Sequence, residues 1–175
     1  MTRGATILIT GMPGSGKTTL FRRLVDELRR LNPVGFYTAE IREGGTRQGF
    51  SLCSLDGQTG VLAHVKFRTG FRVGKYGVDV KGFEAFLNGL SLLDSETGPV
   101  MIDEIGKMEC MSDRFTEILA EILHSEKQLI ATIAHKGGGL IADLKKRSET
   151  LLLTLARDNQ STLFDQIFKA VSLWK

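Results

Sequence analysis

Apolar and polar positions along this chain fall into blocks that switch between two periods. Ala5-Thr6-Ile7-Leu8-Ile9-Thr10 is a short, apolar, β-branched run and predicts a buried strand. A glycine-rich turn follows. Then Leu20, Phe21, Leu24, Val25, Leu28 and Leu31 recur at helical spacing, while Arg22, Arg23, Asp26, Glu27, Arg29 and Arg30 fill the other face. Asn32-Pro33 is expected to close that helix. Three short strands come next, Val34–Arg42, Gly49–Leu55 and Gly60–Val65, with turns at Glu43–Thr46 and Asp56-Gly57. Connections this short favour antiparallel pairing, because parallel neighbours need a long crossover. The pattern therefore predicts a meander inserted after the first helix.

Residues 66–80 form a glycine- and cation-containing segment with Lys66, Arg68, Arg72 and Lys75, and a helix carrying Phe83, Phe86, Leu87, Leu90 and Leu93 on one face follows. Ser95–Pro99 reads as a loop. From there strands and helices alternate: strand Val100-Met101-Ile102, a helix capped by Ser112 that buries Phe115, Ile118, Leu119, Ile122 and Leu123, then strand Leu129–Ile133. Gly137-Gly138-Gly139 precedes a short helix from Leu140 to Arg147. Strand Leu151–Leu155 and a last helix with Leu163, Phe164, Ile167, Phe168, Val171 and Trp174 complete the chain. Alternation of this kind predicts an α/β fold with a mostly parallel central sheet, helices on both faces and the antiparallel meander added to it. No linker or internal repeat divides the chain, so residues 1–175 read as a single domain.

The turn between the first strand and first helix carries the chemistry. Gly11-Met12-Pro13-Gly14-Ser15-Gly16-Lys17-Thr18 fits the phosphate-binding loop pattern, Gly, four free positions, then Gly-Lys-Ser/Thr. Glycines let the backbone aim its N–H groups at a phosphate. Lys17 adds a mobile charge for the β and γ phosphates, Thr18 offers a hydroxyl to Mg2+, and the helix N-terminus beginning at Thr18-Thr19 also favours negative charge. Strand, loop and amphipathic helix stand in the order this chemistry requires.

A second element is Asp103-Glu104, which follows the run Val100-Met101-Ile102. In a parallel α/β sheet, ligands sit outside the carboxyl ends of strands, so Gly11 and Asp103 are expected at one edge. There Asp103 is assigned to the metal, directly or through water, and Glu104 to an attacking water. Three apolar residues before two acids are a weak signal alone, and the loop gives it weight. Asp79 and Asp143 are the competing carboxylates. Arg42, Arg47, Arg68, Arg72, Lys107, Lys136 and Arg147 are candidate charge-stabilising cations, none of them singled out, and His135 reads as a loop residue.

Bulk properties narrow the function classes. The 175 residues are 42% hydrophobic and 25% charged, ordinary for a globular domain. A net charge of +3, spread along the chain, argues against a nucleic-acid partner. No apolar run approaches the ~20 residues needed to span a bilayer. Arg3 and the short run after it do not make a secretory signal, and Cys53 and Cys110 form no metal or redox pattern. A reduced, cytoplasmic protein is expected.

The run Asp103-Glu104-Ile105-Gly106-Lys107-Met108-Glu109, together with the Gly11–Thr18 loop, resembles the small cancer-related nucleoside-triphosphatase family of P-loop proteins. Gly35-Phe36-Tyr37-Thr38, Ile41-Arg42-Glu43-Gly44-Gly45, Gly49-Phe50, Val73-Gly74-Lys75-Tyr76 and Val78-Asp79 are similar to later segments of that family. Ala39, Cys110-Met111 and Ala134 depart from the usual pattern without removing a phosphate or metal contact. The resemblance implies slow, magnesium-dependent hydrolysis of ATP, GTP and other nucleoside triphosphates with loose base selectivity. The absence of an Asn-Lys-x-Asp segment agrees with broad base use. Two alternatives stand beside it. One is a nucleotide or nucleoside kinase using residues 66–77 as acceptor site or lid. The other is a nucleotide-gated module acting on RNA or a protein, supported only by the mild positive charge. No protein partner can be inferred.

Overall fold

A computed structural model describes residues 4–174; Arg3 lies outside this range. The opening strand β1 (Thr6–Thr10) runs through the glycine loop into α1 (Lys17–Glu27). Next come β2 (Val34–Glu43), β3 (Thr46–Ser54), β4 (Thr59–His64), β5 (Arg72–Val73), β6 (Tyr76–Val78) and α2 (Val80–Asn88). The second half comprises β7 (Val100–Ile105), α3 (Asp113–His124), β8 (Leu129–Ile133), α4 (Leu140–Lys146), β9 (Thr150–Thr154) and α5 (Gln160–Ser172).

Among the described residues the strands make one mixed sheet in the order β5-β6-β4-β3-β2-β7-β8-β1-β9. Strands β2, β7, β8, β1 and β9 pair in parallel. Strands β3, β4, β6 and β5 extend the sheet as an antiparallel wing from the free edge of β2. All five residues of β1 and of β8 are buried, as expected of strands covered on both faces. Alternate residues face opposite layers. Ile7, Ile9, Met101 and Ile130 pack against Leu20, Phe21 and Leu24 of α1 and Leu163, Phe164 and Ile167 of α5. Leu8, Phe36, Ile102 and Ala131 face the layer that holds Phe83 of α2, Phe115 of α3 and Ile141 of α4. Phe36 meets Phe83, Phe86 and Phe115 edge-on at 5.7, 5.8 and 6.3 Å, which ties β2 to α2 and α3.

Several expectations shift. The Val34–Arg42 segment is part of the parallel sheet as well as the first strand of the meander, because it pairs with β7 on one side and β3 on the other. The first helix stops at Glu27, and the chain turns through a 3₁₀ segment, Arg29–Leu31, before Asn32 at φ 52°. The tighter 3₁₀ turn breaks the 3.6-residue phase, leaving Leu31 37% exposed. Helix α2 ends at Asn88, so Leu93 falls outside it and is exposed. The segment at 66–80 holds the hairpin β5–β6, whose strands of two and three residues are too short for period-two alternation to register. Finally, Asp103 and Glu104 lie within β7, not after it; the β7–β8 register slips between Ile102 and Ile105, around this pair.

Ser112 caps α3 as expected. Its Oγ accepts from the Phe115 N–H at 3.0 Å and donates to Glu84 Oε1 at 2.9 Å, and the residue is fully buried. Ser112→Ala leaves that N–H and the carboxylate unsatisfied. Denaturant titration should show a loss of about 1–2 kcal/mol; an unchanged midpoint would contradict the capping role.

Candidate active site

Parallel register fixes the site's position. Ile9 lies opposite Thr132 and Ile102 opposite Ala131, so the carboxyl ends of β1, β8 and β7 open on the same sheet edge. Gly11 follows directly from β1. The loop then closes on Gly16, the N-cap of α1, at φ 96° with no side-chain cap on the first turn. The left-handed backbone disfavours a side chain at Gly16, and a Cβ there would sit 2.1 Å from Gln160 Nε2 and push that flexible side chain aside. Gln160, at the start of α5, donates from Nε2 to the Ser15 carbonyl at 3.1 Å and so braces the loop from behind.

Lys17 Nζ donates to the Gly11 carbonyl at 3.0 Å and lies 3.6 Å from Glu104 Oε2. The loop and the acid pair thus meet, although 87 positions separate Lys17 from Glu104. Asp103, 2% exposed, accepts a hydrogen bond on Oδ1 from the Thr132 hydroxyl of β8, while its Oδ2 is buried without a hydrogen-bond partner. Burial pushes the Asp103 carboxyl above its ordinary range, and the nearby Thr132 and Thr18 hydroxyls and the Lys17 and Arg22 charges pull against it. Glu104 is also raised, chiefly by burial; Lys17 opposes the shift and Asp103 adds to it.

Two cavities meet at Glu104. One, of about 460 Å3, is lined by Gly11, Met12, Pro13 and Lys17 on the loop side and by Ala134, His135 and Lys136 opposite. The other, of about 420 Å3, runs from Thr18 and Asp103 past Lys107 and Glu109 to Thr38 on β2 and Phe50 on the antiparallel wing. Both volumes are ligand-sized. Of the residues singled out from sequence, Gly11, Met12, Pro13, Lys17, Thr18, Asp103 and Glu104 line one or both cavities. Gly14, Ser15 and Gly16 shape the loop without lining either, and Thr19 is exposed on α1. Asp79 is engaged elsewhere: it caps α2, accepting from the Gly82 N–H at 3.0 Å. Asp143 stands in the first turn of α4, away from both cavities.

The donors around Asp103 suit a hard divalent cation. A buried carboxylate oxygen lacks a partner and a threonine hydroxyl stands nearby, both oxygen ligands. No cluster of three or more His, Cys, Asp or Glu that could hold a metal is found among the described residues.

Four participants escaped sequence reasoning: Gln160, Thr132, Lys145 and the placement of Glu109. Thr132 had a signal, a polar residue inside the apolar run Leu129–Ile133. Lys145 donates to the Ala134 and His135 carbonyls at 2.6 and 2.9 Å and holds the strand-end loop in place. Glu109 is 6% exposed. Together with Glu104 it crowds Gly106, where a Cβ would lie 2.8 Å from Glu109 Oε2 and 3.3 Å from Glu104 Oε1.

Comparison with known proteins follows the same residues. Residues 6–168 match a protein family described as NTPase. The nucleoside-triphosphatase THEP1 of Thermotoga sp. (strain RQ2) is 40% identical over 166 residues, spanning 94% of each chain. The crystal structure of THEP1 from the hyperthermophile Aquifex aeolicus superimposes with a TM-score of 0.81 at 30% identity, covering 94% of this chain and 98% of that one. The solution structure of a human cancer-related nucleoside triphosphatase gives 0.80 at 32% identity, covering 99% and 100%.

Burial, with Glu104 and Asp103 adding to it, raises the Glu109 carboxyl from 4.5 to about 8. The folded protein therefore keeps a proton that the unfolded chain releases, and this group makes stability fall as pH rises from about 4.5 to about 8, then level off. Urea titrations across this range should show a shallower fall for Glu109→Gln than for the parent, with the variant gaining most near pH 8. Parallel curves would contradict a neutral buried Glu109.

Proposed function

The chain belongs to the NTPase family and is a nucleoside-triphosphate hydrolase, and we propose that the cavity edge between the phosphate loop and β7 is where water attacks the γ-phosphorus. The observation that carries this reading is the 3.6 Å approach of Lys17 Nζ to Glu104 Oε2, beside the buried Asp103. Amides of Gly11–Thr18 and the Lys17 ammonium hold the β and γ phosphates. Thr18 and Asp103 would hold Mg2+, which would offset charge on the phosphoryl oxygens. Glu104 accepts a hydrogen bond from the water and orients it. As the new P–O bond forms, the bond to the β–γ bridging oxygen breaks, and the proton displaced from the water passes to the Glu104 carboxylate. Burial raises the Glu104 carboxyl above its ordinary range, which makes it a better proton acceptor than an exposed carboxylate.

Loose base selectivity, covering ATP, GTP and other triphosphates, and slow turnover belong to the same reading. The missing Asn-Lys-x-Asp segment supports the former. Transfer to a small acceptor, the alternative raised by the sequence, gains no support from the relatives described above, which carry nucleoside-triphosphatase names. No helix among the described residues is long and apolar enough to cross a membrane.

Phosphate release from a panel of nucleoside triphosphates, with and without Mg2+, tests the reading. Release should require Mg2+ and vary little with the base. Glu104→Gln should bind nucleotide and lose roughly 10²-fold or more in turnover, whereas Lys17→Ala should weaken triphosphate binding, hydrolysis or both. Parent-like turnover in Glu104→Gln would remove that residue from its role.

A further inference from the structure

Hydrolysis builds negative charge on the phosphoryl oxygens, and a single loop lysine is rarely the only cation that meets it. The structure sorts the candidates read from sequence. Arg42 and Arg47 are bound to Glu40 at 2.6 and 2.8 Å, and Arg47 also donates to the Tyr76 hydroxyl. Arg72 donates to the Lys75 carbonyl, and Arg147 lies 3.9 Å from Glu149. None of these four lines either cavity at Glu104. Arg68 lines neither cavity, and Lys107 lines only the one toward the antiparallel wing.

Lys136 differs from all of them. It lines both cavities, and so stands across from the loop at the place where they meet beside Glu104. Its ammonium makes no hydrogen bond or ion pair with any described residue. The backbone that carries it is anchored: Ala134 N–H donates to the Ile105 carbonyl of β7 at 3.0 Å, and Lys145 clamps the Ala134 and His135 carbonyls. On its far side Gly137-Gly138-Gly139 lead into α4. An unpaired charge on a flexible stem thus stands on a fixed base just beyond β8, next to the end of β7.

We infer that Lys136 is a catalytic residue that contacts the γ-phosphoryl oxygens in the transition state from the side opposite Lys17. The inference rests on the hydrolytic reading above. Lys136 transfers no proton. It offsets the charge that develops as the bridging bond breaks, and the ammonium stays protonated when phosphate departs.

The test compares Lys136→Ala, Lys136→Arg and Arg68→Ala in the full chain. Steady-state phosphate release from Mg2+–ATP gives kcat and KM, and titration with ADP and with ADP–aluminium fluoride separates ground-state from transition-state binding. Lys136→Ala should lower kcat by roughly 10²-fold with little change in KM, bind ADP like the parent, and lose affinity for ADP–aluminium fluoride. Lys136→Arg should recover much of the loss, and Arg68→Ala, at a residue that lines neither cavity, should stay near the parent. Parent-like kcat in Lys136→Ala, or equal weakening of both ligands, would overturn the assignment. Normal turnover confined to Lys136→Ala strikes this residue alone, whereas normal turnover in Glu104→Gln strikes the site itself. Lys136 is exposed, so matching thermal melts are expected to exclude misfolding as the cause.

Discussion

A carboxylate buried at the heart of a parallel sheet must be compensated, and Asp103 is compensated on one oxygen only. Thr132 from the neighbouring strand satisfies Oδ1; Oδ2 is left without a hydrogen-bond partner, near Thr18 and Lys17. In a fold stabilised by apolar packing, such a group is costly unless something binds it. The core around it is otherwise conventional, with Ile102 and Met101 buried on opposite faces of the same strand. The position has a functional explanation where a purely structural one is hard to give.

Strand order turns this local feature into a site. With β8 between β1 and β7, the phosphate loop and the acid pair leave the sheet on the same edge, one strand apart. That spacing brings Lys17 to Glu104 while Asp103 stays beside Thr18. Parallel pairing from β2 to β9 requires the crossover helices that cover both faces. Phe36 and its aromatic neighbours tie β2 to α2 and α3, and β2 in turn pairs with the antiparallel wing, one wall of the second cavity.

Much of this was legible in the chain. The Leu129–Ile133 strand and the Ser112 cap follow from period and capping chemistry and occur as expected. The phosphate loop was readable because each of its fixed residues has a separate mechanical role. Other features depend on tertiary contact. Thr132 and Gln160 act on residues 29 and 145 positions away; a polar residue in an apolar run marks Thr132 without naming its partner, and no local pattern reveals Gln160. Asp79 and Asp103 look alike in sequence, each an acid after an apolar residue. Only the fold makes one a helix cap and the other a buried strand residue. The β5–β6 hairpin was hidden because its pairing is stabilised by the adjacent β4, not by its own few residues.

The most direct measurement is a crystal structure with Mn2+ and a non-hydrolysable nucleoside triphosphate, the ion located by anomalous scattering. The metal is expected against the Thr18 hydroxyl, with the Asp103 carboxylate beside it, directly or through one water, and the terminal phosphate between Lys17 and Glu104. A triphosphate bound away from the Gly11–Thr18 loop, or a metal remote from Asp103, would contradict a shared pocket for the two motifs.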